Sequence, residues 1–125
     1  MAVNFKNEQI DEIKALLLRK DTWAVGKLTQ QLHASDIGKI LSGLEEAEAV
    51  EFFKVLEPES ASEALLEVDE RLRKKLMSSI TPAELIEVVT EMETDDAADV
   101  ISELPAPDAK QVLEGIDRQE AVEVK

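Results

Sequence analysis

The amino-acid sequence predicts an all-α fold, a right-handed superhelical solenoid of about ten short helices. Aliphatic residues return every twelve positions along most of the chain, and a fixed period of this kind is typical of repeat architectures. Within each period, the apolar positions follow the spacing of one helix face. Glycine and proline number four each among 125 residues, which is too few for a turn-rich β protein.

The period is clearest when the chain is read in steps of twelve from Leu32. The residues at these steps are Leu32, Leu44, Leu56, Val68, Ile80, Met92, Leu104 and Ile116. Positions five, eight, nine and twelve residues after each step are also mostly apolar, which is the i, i+3, i+4, i+7 stripe of a helix. Arg73 is the one clear violation of this pattern.

The repeats also carry signals for helix starts. Residues 81–84, Thr-Pro-Ala-Glu, combine an N-cap, a proline at the first helical position and a capping-box glutamate. Residues 117–120, Asp-Arg-Gln-Glu, predict another start without the proline. A helix of about nine residues is only about 13 Å long and unstable alone, so the units must stack. The predicted core includes Leu44, Phe53, Leu56, Leu65, Val88, Val89, Ile101 and Leu113.

The chain is predicted to be one domain in two parts. Residues 1–31 form N-terminal capping helices and residues 32–125 form the twelve-residue repeats. The apolar pattern predicts a first helix over about residues 7–19, and Asp21 then caps a second. Trp23 is interpreted as a core anchor of this helix pair, and a binding role is the less favoured interpretation.

Composition excludes several classes of function. The chain has no cysteine, so it forms neither a disulfide nor a zinc–thiolate site, and no apolar run is long enough to span a bilayer. It lacks a glycine-rich phosphate loop and a histidine placed as a catalytic base, so we expect no enzymatic activity. His33 is interpreted as turn and capping chemistry. The net charge of −14 predicts repulsion from nucleic acid and anionic lipid, although acidity could simply keep a repeat protein soluble.

Acidic residues are concentrated near the C-terminus. Residues 76–109 contain no lysine or arginine, and their acids are Glu84, Glu87, Glu91, Glu93, Asp95, Asp96, Asp99, Glu103 and Asp108. Asp95 and Asp99 are four residues apart and therefore share a helix face. One interpretation makes Asp95 a helix cap and Asp99 a solvated side chain. The other makes them a partial ligand set for a hard cation, because magnesium takes only one or two protein carboxylates.

Two segments resemble a known family. Residues 32–37, Leu-His-Ala-Ser-Asp-Ile, resemble the Leu-His-Pro-Ala-Asp-Ile opening of MgtE N domains. Residues 95–100, Asp-Asp-Ala-Ala-Asp-Val, resemble the Asp-Asp-x-Ala-Asp box of the same domains. The resemblance runs from about residue 10 to the C-terminus, and Ala34 in place of proline weakens only a turn.

The resemblance implies a cytoplasmic regulatory domain of an MgtE-type magnesium transporter or channel. Magnesium would bind between this domain and cystathionine-β-synthase-type (CBS) domains of the same full-length chain, a homodimer, and favour the closed pore. The acidic family positions map onto Glu63, Asp95 and Asp99. Because CBS and transmembrane domains are absent from the sequence, we expect a piece of a longer protein that binds magnesium weakly alone. The alternative is a metal-free protein-interaction solenoid, similar to the middle domain of the flagellar motor-switch adaptor FliG.

Overall fold

The computed structural model describes residues 5–123, and side-chain burial from residue 8 to residue 118. Within these residues the protein is helical and contains no strand, so the all-α prediction is confirmed. The helices are α1 (Phe5–Leu18), α2 (Thr22–Thr29), α3 (Ala34–Gly43), α4 (Glu46–Val55), α5 (Pro58–Glu67), α6 (Glu70–Ser78), α7 (Pro82–Thr90), α8 (Thr94–Ser102) and α9 (Ala106–Glu123). None of these described helices is long and apolar enough to cross a membrane.

The predicted helix starts at Asp21 and Thr81 are confirmed. The Thr81 hydroxyl accepts a hydrogen bond from the Glu84 N–H at 3.1 Å, and the Glu84 carboxylate accepts one from the Thr81 N–H at 3.0 Å. The pKa of the Glu84 carboxyl is lowered, chiefly because the Thr81 backbone N–H donates to its ionised form. Asp21 accepts from the Ala24 N–H at 3.1 Å and begins α2. Each cap therefore satisfies backbone N–H groups that the first helical turn leaves free.

The helices pack in two alternating series. The odd-numbered helices α1, α3, α5, α7 and α9 each pack on the next odd one, and α2, α4 and α6 do the same. This order is consistent with a solenoid in which each unit contacts near neighbours in the sequence. The approach of α3 to α5 requires Gly38, because a Cβ atom there would lie 2.5 Å from the Cβ of Glu67.

The predicted core is confirmed at every position except one. Leu65 is fully buried, and Leu44, Phe53, Leu56, Val88, Val89 and Ile101 are each at most 9% exposed. Leu113 is 50% exposed, so the prediction there is wrong, and Val112 takes the buried position. The reason is that α9, the last of the described helices, packs mainly against α7 and α8, so the face that carries Leu113 is left half exposed.

The predicted helix start at residues 117–120 is also wrong. Helix α9 is 18 residues long and continues through this segment, so the described chain has nine helices rather than about ten. Asp117, Arg118, Gln119 and Glu120 are all tolerated inside a helix, and no proline stops it there. A turn at this point would give up helical hydrogen bonds without burying a new apolar face.

Trp23 is not a core residue, so its interpretation as a core anchor of the N-terminal helix pair is wrong. Its side chain is 72% exposed, whereas Val25 is fully buried. The two residues are roughly 200° apart around the helix, so only one of them can face the core. Lys27 lies over the exposed indole, with its Nζ 5.6 Å from the ring centroid.

Candidate functional site

Helix α8 presents Asp95 and Asp99 on one exposed face, one turn apart. Val100 and Ile101 are buried and fix the helix against the core, which holds the two carboxylates outward. The N-cap of α8 is Glu93, so Asp95 lies in the first turn and is not the cap. Within residues 8–118, neither aspartate carboxylate forms a hydrogen bond or an ion pair.

The electrostatic environment of this face is negative. Like charges one helical turn apart repel by a few tenths of a kcal/mol, and the sequence contains no lysine or arginine between residues 76 and 109. Arg73, which reaches the C-terminal end of α8, is already paired with Glu103. The helix N-terminus favours a carboxylate at Asp95 but not at Asp99, which lies further along the helix. A bound cation would therefore relieve a repulsion that the sequence itself leaves in place.

The donors of the α8 face suit a hard cation. Both are carboxylates, and both are open to solvent. Magnesium typically keeps several waters and accepts one or two carboxylates, so it requires no enclosed cage of protein ligands. Two carboxylates on one exposed face can therefore hold a hydrated magnesium ion weakly, and leave coordination positions for water or a second domain.

Glu63 does not join Asp95 and Asp99 in one cluster. It is exposed on α5, which packs against α3 and α7, whereas α8 packs against α7 and α9. Among the residues that the structure describes, no three His, Asp or Glu side chains lie together in a group that could hold a metal ion. His33 occupies the N-cap position of α3 but makes no capping hydrogen bond with its side chain.

Sequence reasoning missed the ion pair between Arg73 and Glu103. Two hydrogen bonds of 2.7 and 2.8 Å join the guanidinium to both carboxylate oxygens, and each side chain is only 16% exposed. The same guanidinium donates to the carbonyl oxygens of Leu65 at 3.1 Å and Val68 at 2.9 Å. The hydrogen bond from Arg73 lowers the pKa of the Glu103 carboxyl, and the same bond raises the pKa of Arg73.

The sequence did contain a signal for this pair. Arg73 occupies a position that is apolar in nearly every other repeat, so a buried arginine there needs an acidic partner. Its partner lies 30 residues away, and no local pattern identifies it. Glu103 is therefore structural, and it is removed from the set of acids available to a ligand.

A separate cavity of about 990 Å³ opens between the helices. Its lining includes the apolar residues Leu72, Ile80 and Leu104 and, among its charged residues, Arg71 and Lys75 of α6. The lining contains neither Glu63 nor the aspartates of the α8 face, so the candidate cation site lies outside it.

Comparison with known proteins identifies the family. The MgtE intracellular N domain family matches residues 32–125, three quarters of the chain. This protein belongs to that family. The family describes an intracellular domain of a transporter and is not a catalytic family.

This protein was also compared with solved structures and with curated proteins. The crystal structure of the soluble part of a magnesium transporter is 14% identical to this protein, with a TM-score of 0.44. The similarity covers 89% of this protein and 49% of that chain, so this protein spans about half the length of that chain. No curated protein matches.

Proposed function

We propose that this protein is the magnesium-sensing regulatory domain of an MgtE-type magnesium transporter, placed on the cytoplasmic side of the membrane. Membership of the MgtE intracellular N domain family supports this proposal. The single observation that carries it is the exposed pair Asp95 and Asp99 on one face of α8, in a segment without lysine or arginine. A bound cation relieves the repulsion between these two carboxylates, so the arrangement favours the cation-bound domain over the cation-free domain.

The sensing mechanism follows from an incomplete site. Asp95 and Asp99 supply one wall, and acidic residues of CBS domains in the same full-length, homodimeric transporter supply the other. At low magnesium the two acidic surfaces repel, and the domain separates. At high magnesium the ion bridges them, the domain docks and the closed pore is favoured. An ion shifts such an equilibrium only through its different affinity for the two states, and the bridged state offers more ligands.

Glu63 has a different place in this mechanism. It lies on α5, outside any cluster with the α8 aspartates, so we expect it to contact a partner domain independently. The substitution Glu63→Gln should therefore leave magnesium binding by the isolated chain unchanged. In a full-length transporter it should weaken magnesium-dependent docking, which limited proteolysis would detect as reduced protection. Magnesium binding that is lost in the isolated Glu63→Gln chain would contradict this separation.

We expect weak and saturable magnesium binding by the 125-residue chain. Stabilisation by a ligand follows RT ln(1 + [L]/Kd), so a tenfold excess over Kd gives about 1.4 kcal/mol. Titration with magnesium chloride at constant ionic strength should shift the amide resonances of residues 93–100 in a localised, saturable way. The melting temperature should rise by a few degrees over the same concentration range.

A matched pair of variants separates a site from general acidity. Asp95→Asn/Asp99→Asn should abolish the localised shifts. Glu87→Gln/Glu91→Gln also removes two exposed carboxylates four residues apart, at the preceding helix, and should leave those shifts intact. Diffuse shifts without saturation, or equal losses in the two double variants, would show that magnesium only screens charge.

The cavity favours a second candidate function, the protein-interaction solenoid without metal binding. Solenoids bind partners on extended concave surfaces, and this cavity combines apolar residues with Arg71 and Lys75 of α6. If that function is correct, the Leu72→Glu variant, which alters the cavity, should no longer bind the partner. The Asp95→Asn/Asp99→Asn variant should still bind it. Localised magnesium binding at α8 would leave the sensor as the better assignment.

A further inference from the structure

The reversal between α1 and α2 exposes two large apolar side chains beside three cations. We name this feature the α1–α2 tip, and it comprises Leu18, Arg19, Lys20, Trp23 and Lys27. Leu18 is 86% exposed, and Trp23 projects from the first turn of α2. Arg19, Lys20 and Lys27 are exposed, and none of them forms an ion pair with the residues that the structure describes. The tip is therefore an apolar projection surrounded by unpaired positive charge.

The backbone of the tip is fixed by its own hydrogen bonds. Lys20 has a left-handed conformation, with φ of 57°, and its N–H donates to the carbonyl of Leu17 at 3.0 Å. The N–H of Asp21 donates to the carbonyl of Leu16 at 3.0 Å, and these two bonds together close a Schellman turn. The Asp21 carboxylate caps α2, so it is held by the Ala24 N–H. The tip can therefore dock without ordering a loop, which lowers the entropic cost of binding.

The tip is also a cationic part of an acidic protein. Between residues 13 and 35 the only acid is Asp21, against the cations Lys14, Arg19, Lys20 and Lys27. The acidic α7–α9 region lies beyond α3–α6 in the array, and packed helices are about 8–10 Å apart. The Debye length at physiological salt is about 8 Å, so those distant carboxylates are largely screened at the tip. The net charge of −14 consequently does not describe this surface.

We propose that the α1–α2 tip docks on the surface of an anionic lipid bilayer. Trp23 and Leu18 enter the headgroup region, and Arg19, Lys20 and Lys27 contact lipid phosphates. Tryptophan favours the interface between membrane and water, and basic side chains beside it are attracted to anionic leaflets. The shape also favours lipid over an acidic protein, because two apolar side chains projecting from a tight turn can enter a fluid surface without a matching pocket. The proposal is independent of magnesium binding at α8.

Trp23 allows a direct test, because it is the only tryptophan in the sequence. The 125-residue chain is mixed with vesicles made of equal parts phosphatidylserine and phosphatidylcholine, or of phosphatidylcholine alone. We expect the Trp23 emission to shift to the blue, and the chain to sediment with the vesicles, only when phosphatidylserine is present. Leu18→Ser should weaken sedimentation without changing the fold, whereas Leu113→Ser, another exposed leucine far from the tip, should not.

Charge variants complete the test. A basic residue near an anionic membrane contributes about 1 kcal/mol, or about fivefold in partitioning, so Arg19→Gln/Lys20→Gln/Lys27→Gln should weaken binding about a hundredfold. Lys39→Gln/Lys54→Gln/Lys110→Gln removes the same charge from exposed positions elsewhere and should leave binding nearly unchanged. Equal losses in both triple variants, or equal binding to both kinds of vesicle, would overturn the proposal. A Trp23 shift with poly-glutamate but with neither vesicle would also overturn it and assign the tip to acidic proteins.

Discussion

The α1–α2 end of the array exposes cations beside Trp23, whereas the α7–α9 end exposes carboxylates without any lysine or arginine between residues 76 and 109. The net charge of −14 belongs to the whole chain, and it describes the second of these regions but not the first. The repulsion from anionic lipid that the net charge predicts therefore need not apply at the first end. Local charge, taken over one Debye length, decides which surface can bind which partner.

The two ends also differ in how they terminate the packing. The α1–α2 pair contacts α3 and α4 and covers the start of the array, and it leaves Leu18 and Trp23 outside. At the other end α9 runs on as one long helix and leaves Leu113 half exposed. The position that Leu113 holds in its repeat is buried in the interior, as at Leu65 and Ile101. The position of a residue within its repeat therefore predicts burial only where helices pack on both sides of that repeat.

The largest expected effect tests whether the two ends form one cooperative unit. Leu65 is fully buried on α5, between them, and Leu65→Ala should lower the free energy of unfolding by about 2–4 kcal/mol. Leu66→Ala is the matched control, since Leu66 is 42% exposed and should lose less than half of that. Urea unfolding should be followed by Trp23 fluorescence, which reports the first end, and by far-UV circular dichroism, which reports the whole chain. Transitions that do not coincide would show that the ends unfold separately.

The next effect concerns the ion pair that brings a cation to the acidic end. Arg73→Met should leave the largely buried Glu103 carboxylate and the Leu65 and Val68 carbonyls without their partner, and lower the free energy of unfolding by about 2 kcal/mol. Arg71→Met removes an arginine whose side chain is almost fully exposed and whose Nη2 is 4.0 Å from Glu46, so we expect almost no change. Equal losses in both variants, measured by urea unfolding, would show that only charge balance matters.

The same pair predicts a dependence on pH. Arg73 holds the pKa of Glu103 below its unfolded value of about 4.3, so the stabilisation is complete above that pH. It is lost as the pH falls through the lower pKa of the folded state. The difference in unfolding free energy between the native chain and Arg73→Met should therefore shrink below about pH 4. A difference that stays constant down to acid unfolding would contradict an ionised Glu103 as the partner.

The smallest expected effect is repulsion on the α8 face. Asp99→Asn should raise the free energy of unfolding by a few tenths of a kcal/mol in the absence of magnesium, because it removes the like charge one turn from Asp95. Lys27→Gln at the other end should instead lower it slightly, since the contact with the Trp23 ring is lost. Calorimetry at low salt should resolve these opposite signs, and added salt should weaken the Asp99 effect. If both substitutions changed the free energy of unfolding in the same direction, the two ends would not differ in the sign of their local electrostatic effect.

Much of the interior was predictable from the sequence because its features are local. The twelve-residue period located the buried residues of α3–α8, and the segment at residues 81–84 located the start of α7. These predictions succeed because a helix face and a cap each depend on residues within one or two turns of each other. The shared face of Asp95 and Asp99 was predictable for the same reason.

The errors fall where a distant contact, or its absence, decides the structure. Leu113 and Trp23 follow apolar patterns but lie at ends, where no helix among residues 5–123 covers them. Residues 117–120 carry a capping signal, yet a continuing helix makes more hydrogen bonds than a turn without a neighbour. Glu63 shares a repeat phase with Asp99, but their separation depends on how the helices stack, which no local pattern determines.

The alternation of odd and even helices sets a rule for how such an array can change its length. The odd-numbered helices α1 to α9 pack in one series and α2, α4 and α6 pack in a second, while α8 packs on α7 and α9, so each repeat up to α7 belongs to one of two series. Loss or duplication of a single repeat would move every later helix to the other series and give it the wrong neighbour. Loss or duplication of two adjacent repeats would keep every later helix in its own series. The heritable module of this fold is therefore a pair of repeats.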